Sequence, residues 1–251
     1  PPERVHLFLP GRRRDGEEIR LTGIFTDKYR NISPTGSPRI SLGFNLHLDG
    51  PDGTVDLGSS AKHLVARHRF ELTLNNLKPG IYRVRAVLNG NGKPVAVSNP
   101  LEVMSRDDAR SCVYWGEIHG HSEMSDGSGD FEEMFRHARD EAALDFAASA
   151  DHACYFSDNE WLWMQDVVNS FSKDELFITM VGYEWAGKQG HRNVYSCRNR
   201  LDLFRGMYPP TSSIDVVYRH LEGNADVVAG PHTGHTGDFW DGHNPNVERF
   251  I

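Results

Sequence analysis

The sequence predicts an α/β protein in two parts: an N-terminal antiparallel β-sandwich over residues 1–105 and an α/β domain over residues 106–251. Two observations carry this reading. Apolar residues recur at every second position through the first part, and after Ser98-Asn99-Pro100 the pattern changes to strands alternating with helical faces. A length of 251 residues, above that of a usual single domain, agrees with two cores.

In the first part Ile40, Leu42, Phe44, Leu46 and Leu48 alternate with polar residues, as do Phe70, Leu72 and Leu74, then Tyr82, Val84, Ala86 and Leu88. Each series reads as a strand with one buried face. Turns separate them at Asp49-Gly50-Pro51-Asp52-Gly53, at Lys78-Pro79-Gly80 and at Asn89-Gly90-Asn91-Gly92, ahead of a closing strand at Val95 to Val97. Short strands with no intervening helix make a sandwich. The stretch LKPGIYRVRAVL resembles the late-strand signature of immunoglobulin-like and fibronectin-like sandwiches, with Tyr82 placed like a tyrosine corner. The Arg12-Arg13-Arg14 run reads as a solvated loop.

In the second part residues 112–118 read as a strand, and Phe131, Met134, Phe135, Ala138 and Ala142 share one helical face after a start at Gly129-Asp130. A buried strand follows from Leu144 to Ala150, then a helix carrying Trp161, Met164, Val168 and Phe171. Strands at Leu176 to Tyr183 and Val194 to Cys197, a helix near Ile214 to Leu221 and a strand at Ala225 to Ala229 complete the pattern. Such alternation implies a parallel sheet, either open or closed into a barrel.

Composition narrows the function classes. A hydrophobic fraction of 38%, a charged fraction of 25% and five Trp describe a folded globular chain. A net charge of -8 argues against general nucleic-acid binding and against an anionic membrane surface as partner. No run approaches ~18 apolar residues, so no membrane span is expected. No signal peptide opens the chain, and a soluble bacterial-type protein is expected, with its compartment, cytoplasmic or periplasmic, left open. Cys112, Cys154 and Cys197 lack the paired spacing of a disulfide framework or a thiolate zinc site. The chain starts at Pro1 without Met and stops directly after VERF at Ile251, so it is expected to be a piece of something longer, with a C-terminal remainder.

Thirteen histidines are present and nine follow residue 118. His119 and His121 end the first strand of that part, Asp151-His152 the second and Glu184 the third; His191 opens the fourth, and His232 with His235 follows the last. Strand ends in α/β folds form one rim, where loops build the site. Two residues apart on an extended chain, His119 and His121 aim their imidazoles to the same side, as two ligands of one metal would. Glu184 is an anionic ligand able to bridge two ions, and Asp126 and Asp151 add carboxylate oxygens. Mixed imidazole and carboxylate donors suit zinc, manganese or iron. Taken singly, each residue has a plainer reading: a chance His-x-His pair, a turn at Asp126, a buried His152, a Glu184 paired with Arg192. Taken together, all would have to reach strand ends by accident. His137 and His220 within helices, and His6, His47, His63 and His68 in the sandwich, read as structural.

The ordered series WGEIHGHSEMSDGSG, FAASADHA, VGYEW, GHRNVY and AGPHTGH resembles the PHP superfamily, named for polymerase and histidinol phosphatase, over about residues 112 to 235. The wording is closest to a branch of it that carries no assigned function. The resemblance implies a distorted seven-stranded α/β barrel, present here in part, and two or three metal ions that hydrolyse phosphomonoesters or phosphodiesters with hydroxide supplied by the metals. By resemblance His119, His121, Asp126, His152, Glu184, His191 and His232 are ligands, with His235 as a neighbouring candidate, Asp151 as a support, and His119, His121, Asp126 and Glu184 as the catalytic set. The implied substrate is a phosphorylated small molecule or a phosphodiester. The family's closing Asp-x-His pair is missing from its expected place, and Asp241-Gly242-His243 comes too soon after His232, so a surface loop is expected there. Two rivals stay open: an amidohydrolase-type hydrolase, which would need a metal-bridging lysine or carboxylate, and a non-catalytic binding module with a remnant metal site.

Overall fold

A computed structural model describes residues 4–32, 44–66, 68–88, 92–173, 176–232 and 243–248. The chain is mixed α/β and rich in sheet. It divides into two compact units, Pro1–Trp115 and Gly116–Ile251.

The first unit contains β1 (Arg4–Phe8), β2 (Arg12–Arg14), β3 (Ile19–Thr26), β4 (Phe44–Gly50), β5 (Gly53–Ser59), β6 (Leu64–Ala66), β7 (Arg69–Leu74), β8 (Gly80–Leu88), β9 (Pro94–Val97) and β10 (Leu101–Met104). One sheet runs β1-β3-β7-β6 and the other β2-β10-β8-β4-β5, with β9 also on β8. Period-two alternation buries Phe44, Leu46 and Leu48 of β4 and Tyr82, Val84 and Ala86 of β8 in a single core with Ile19, Leu21 and Phe25 of β3 and Phe70 of β7. Phe25, Phe44 and Phe70 meet at its centre, with ring centroids 5.7 to 6.2 Å apart. Tyr82 donates its hydroxyl to the Lys78 carbonyl at 2.9 Å, which is the tyrosine-corner contact. Ile40 and Leu42 lie outside the described residues.

Two expectations change here. Arg12-Arg13-Arg14 is a strand, paired in parallel with β10, and not a solvated loop. Residues 106–115 belong to the first unit, so the boundary falls at Trp115 instead of residue 105, and the strand expected at 112–118 begins only at Gly116. Both changes have one cause. The irregular segment needs donors for its carbonyls, and the arginines supply them: Arg13 Nη1 donates to Val113 O at 2.9 Å and Arg14 Nη2 to Arg110 O at 2.9 Å, while Arg12 pairs with Glu102 at 2.7 Å.

The second unit contains β11 (Gly116–Gly120), α1 (Phe131–Asp140), β12 (Phe146–Ser149), α2 (Asp158–Phe171), β13 (Ile178–Gly187), β14 (Gly190–Ser196), α3 (Ile214–Leu221) and β15 (Val227–Pro231). Asp130 caps α1 by accepting from Glu133 N at 3.0 Å, and Ser157 with Glu160 forms a capping box on α2. Phe131, Phe135, Trp161, Met164 and Val168 of the helices share a core with Val181, Tyr183 and Trp185 of β13 and Val194 of β14.

The described strands form an open sheet in the order β11-β12-β13-β14-β15. It is not wholly parallel, as the sequence had suggested. β11, β12 and β13 are parallel, but β14 runs antiparallel to both β13 and β15. The reason is the length of the connection. β13 continues to Gly187 and β14 starts at Gly190, so only Lys188 and Gln189 intervene, and a parallel crossover needs a dozen or more residues. No helix among the described residues is long and apolar enough to cross a membrane.

Candidate metal centre

The parallel strands deliver their side chains as they end. His119 lies within β11 and His121 just past it, Asp151 and His152 follow β12, and His232 follows β15. Glu184 sits on β13 in bridge register with His152. The antiparallel hairpin brings the start of β14 to the same place: Glu184 faces Asn193 and Ala186 faces His191 across the ladder, so Glu184, His191 and Asn193 share one face. Tyr183, Trp185 and Arg192 take the other.

The side chains converge. The Nε2 atoms of His119 and His121 are 3.4 Å apart, and they lie 3.5 and 3.3 Å from Glu184 Oε2. His191 Nδ1 pairs with Glu184 Oε1, and His152 Nδ1 lies 3.7 Å from the same oxygen. His121 Nδ1 contacts Asp126 Oδ1 at 2.9 Å, and His152 Nε2 stands 3.6 Å from Asp126 Oδ2. The His232 ring stacks on His119, centroids 4.5 Å apart. Three sets of donor atoms each fall within 4.8 Å of one another: His119, Glu184 and His232; His121, Asp126 and His152; His152, Glu184 and His191. Ligand bonds of ~2.0–2.2 Å span such sets with little adjustment.

Protonation and burial favour cation binding. Burial lowers the pKa of His119 and of His152 despite the opposing pull of Glu184, which leaves both rings neutral with a lone pair to offer. The Asp126 carboxyl is held below its ordinary value: slight burial opposes ionisation, and the neighbouring His152 and His121 outweigh it. Glu184 is buried, yet its Oε2 has no hydrogen-bond partner among the described residues, and the same is true of His152 Nδ1 and His232 Nδ1. Orphaned buried polar atoms are rare in folded proteins. Three of them on one cluster of imidazole and carboxylate groups fit a cation.

Supporting groups fix the loop that follows β11. Asp151, fully buried, accepts from Ser122 N at 2.8 Å, Ser122 Oγ at 2.9 Å and Ser125 Oγ at 2.6 Å. It therefore holds the segment carrying His121 and Asp126 instead of facing the cluster. Gly127 closes this loop, since a Cβ there would fall 2.1 Å from the His121 carbonyl oxygen. The sequence reading passed over Ser122, Ser125 and Asn193. Asn193 was open to it, two residues after His191 on the same strand face.

Seven expected ligands thus come together: His119, His121, Asp126, His152, Glu184, His191 and His232. His235 and Asp241 lie outside the described residues. Of the expected surface loop Asp241-Gly242-His243 only His243 is described, and it is partly buried. It pairs with buried Glu248, which also accepts from Tyr218 Oη and, at 2.8 Å, from Arg192 Nε. Arg192 is thereby committed to Glu248 and not to Glu184. The plainer readings of His137, His220 and His6 match their surroundings: His137 contacts Glu141 at 2.7 Å, His220 the Val216 carbonyl at 2.7 Å and His6 Thr26 Oγ1 at 3.1 Å.

No family model matches the chain. An uncharacterized protein of Chlamydia pneumoniae is 30% identical over 200 residues, which cover 76% of this chain and 31% of that relative. An uncharacterized protein of Chlamydia trachomatis serovar D is 28% identical over 190 residues, 74% of this chain and 29% of the relative. The chain spans about a third of the length of the curated relatives it matches.

Proposed function

We propose that the cluster is a polynuclear metal centre, binding zinc or manganese, with iron as a third option, and that the chain forms part of a metal-dependent phosphoesterase with two to three ions in the complete protein. Glu184 carries this reading. A carboxylate sealed from solvent, with one oxygen unpartnered and four histidines around it, is a donor set that a bound cation would complete. In the same reading the open sheet forms the first strands of a PHP-type barrel.

Metal ions at such a site supply hydroxide near neutral pH and polarise phosphoryl oxygens. His119, Glu184 and His232 would hold one ion, His121, Asp126 and His152 another, and His152, Glu184 and His191 form a third donor set. Asp126, more than half exposed, leaves one side of the cluster open to solvent, from which a substrate would approach. Glu184 and Asp126 would neutralise only part of the charge of two divalent ions, so an occupied centre would favour a phosphate although the protein is acidic overall. A phosphorylated small molecule or a phosphodiester is the substrate class this supports.

Elemental analysis of the purified chain, followed by turnover of bis(p-nitrophenyl) phosphate by a longer form of the protein, tests the proposal. At least one tightly held ion per chain and phosphodiester cleavage are expected. A chain that retains no ion after metal loading would sink the metal reading. Bound ions with cleavage of amides alone would replace the phosphoesterase by an amidohydrolase.

A further inference from the structure

Behind His119 stands Asn193, with its side-chain amide 2.8 Å from His119 Nδ1. The opposite nitrogen of the ring, Nε2, is the one turned toward Glu184 and His121. The side-chain oxygen of Asn193 is buried and has no hydrogen-bond partner among the described residues. An amide turned by 180° occupies the same space. In that orientation its oxygen accepts from Nδ1–H, and the orphaned acceptor is satisfied. A neutral imidazole carries one proton, so a proton held on Nδ1 leaves the lone pair on Nε2.

We propose that Asn193 is a positioning residue of the centre: its side-chain oxygen accepts from His119 Nδ1–H and so presents the Nε2 lone pair to a divalent ion. This rests on the metal reading above. The strand register makes the arrangement rigid, because Asn193 lies directly across the β13–β14 ladder from Glu184 and one hairpin sets both the anionic ligand and the brace for an imidazole ligand. Hydrogen-bond partners behind metal-bound histidines fix the tautomer and the ring orientation, and losing one lowers metal affinity by ~10–100-fold.

The test measures zinc affinity by competition with a chromophoric chelator for the wild type, Asn193→Asp, Asn193→Ala and His119→Ala. Aspartate retains the acceptor and removes the donor, so Asn193→Asp should bind within a few-fold of wild type or tighter, while Asn193→Ala should lose about ten- to a hundred-fold. Equal losses in Asn193→Asp and Asn193→Ala, or no loss in Asn193→Ala, would overturn the assignment. A wild type that binds no zinc would remove the metal reading and this inference with it. Wild-type binding that fails to respond to Asn193→Ala but falls in His119→Ala would remove the inference alone. A second measurement needs no variant: in the metal-free wild type, histidine-selective nitrogen NMR should show His119 protonated at Nδ1, and an Nε2-protonated ring would refute the proposal even if every substitution misfolded.

Discussion

Arg192 and Glu248 form an ion pair of 2.8 Å with both side chains almost wholly sealed from solvent, at 1% and 0% exposure. Arg192 lies on the face of β14 opposite His191 and Asn193, so this pair braces the hairpin from behind. Removing one partner strands a buried charge. Glu248→Ala should lower the unfolding free energy of the second unit by about 3–5 kcal/mol, read by urea denaturation; a loss under about 1 kcal/mol would show that the pair is dispensable.

Glu184→Gln should separate charge from shape. The amide fills the same volume but cannot neutralise cations on both sides, so metal content per chain is expected to fall. Unchanged metal stoichiometry by elemental analysis would remove Glu184 from the ligand set.

Gly127→Ala should disturb the loop bearing Asp126 without touching a donor atom, because the new methyl meets the His121 backbone at 2.1 Å. Weaker zinc binding by at least tenfold is expected, with far-UV circular dichroism preserved. Full affinity would mean that the loop closes by another route.

The metal-free protein should lose stability on acidification. Burial lowers the pKa of His119 and His152 from the ordinary 6.5 in the folded state, so the unfolded chain takes up these protons first as pH falls. Their contribution is complete above pH 6.5 and is lost as pH drops through the window below it. Melting temperatures between pH 7.5 and 5.5 in chelator should decline, and less steeply in His152→Asn; an equal slope in that variant would contradict the assignment for His152.

Residues 106–115 should resist limited proteolysis at Arg110 while Arg14 holds its carbonyl. Arg14→Ala should open this stretch to trypsin. Rapid cleavage of the wild type there would show that the segment is not held by the arginine strand.

The parts of the site that the sequence displayed are those set by short spacing. His119 and His121, two apart, had to share a face, and His152 followed the apolar run from Leu144 to Ala150 that ends at the rim, whereas Asp126, in a polar Ser-Asp-Gly turn, was singled out by the resemblance. What the sequence hid was pairing at a distance. Arg192 was the plain candidate partner for Glu184, yet strand alternation sends it to Glu248, fifty-six positions on. The parallel sheet was inferred from strands alternating with helices, and the inference failed at β14 because the apolar pattern of β13 was followed only to Tyr183 when the strand runs on to Gly187. The arginine run was placed in solvent because nothing around it is basic, so no anion site was in view; its partners are Glu102, ninety positions on, and backbone carbonyls, which carry no side-chain signature.

The tight return between β13 and β14 makes the spacing from Glu184 to His191 intolerant of length change. One residue added between Gly187 and Gly190 would slip the register by a single step, and a slip by one reverses every side chain of the strand. His191 would turn toward the helices and Arg192 would thrust its cation among the imidazoles, where it would compete with any ion for Glu184. This connection fixes a count, and homologous proteins that keep the same donors should keep the same six residues between that glutamate and that histidine.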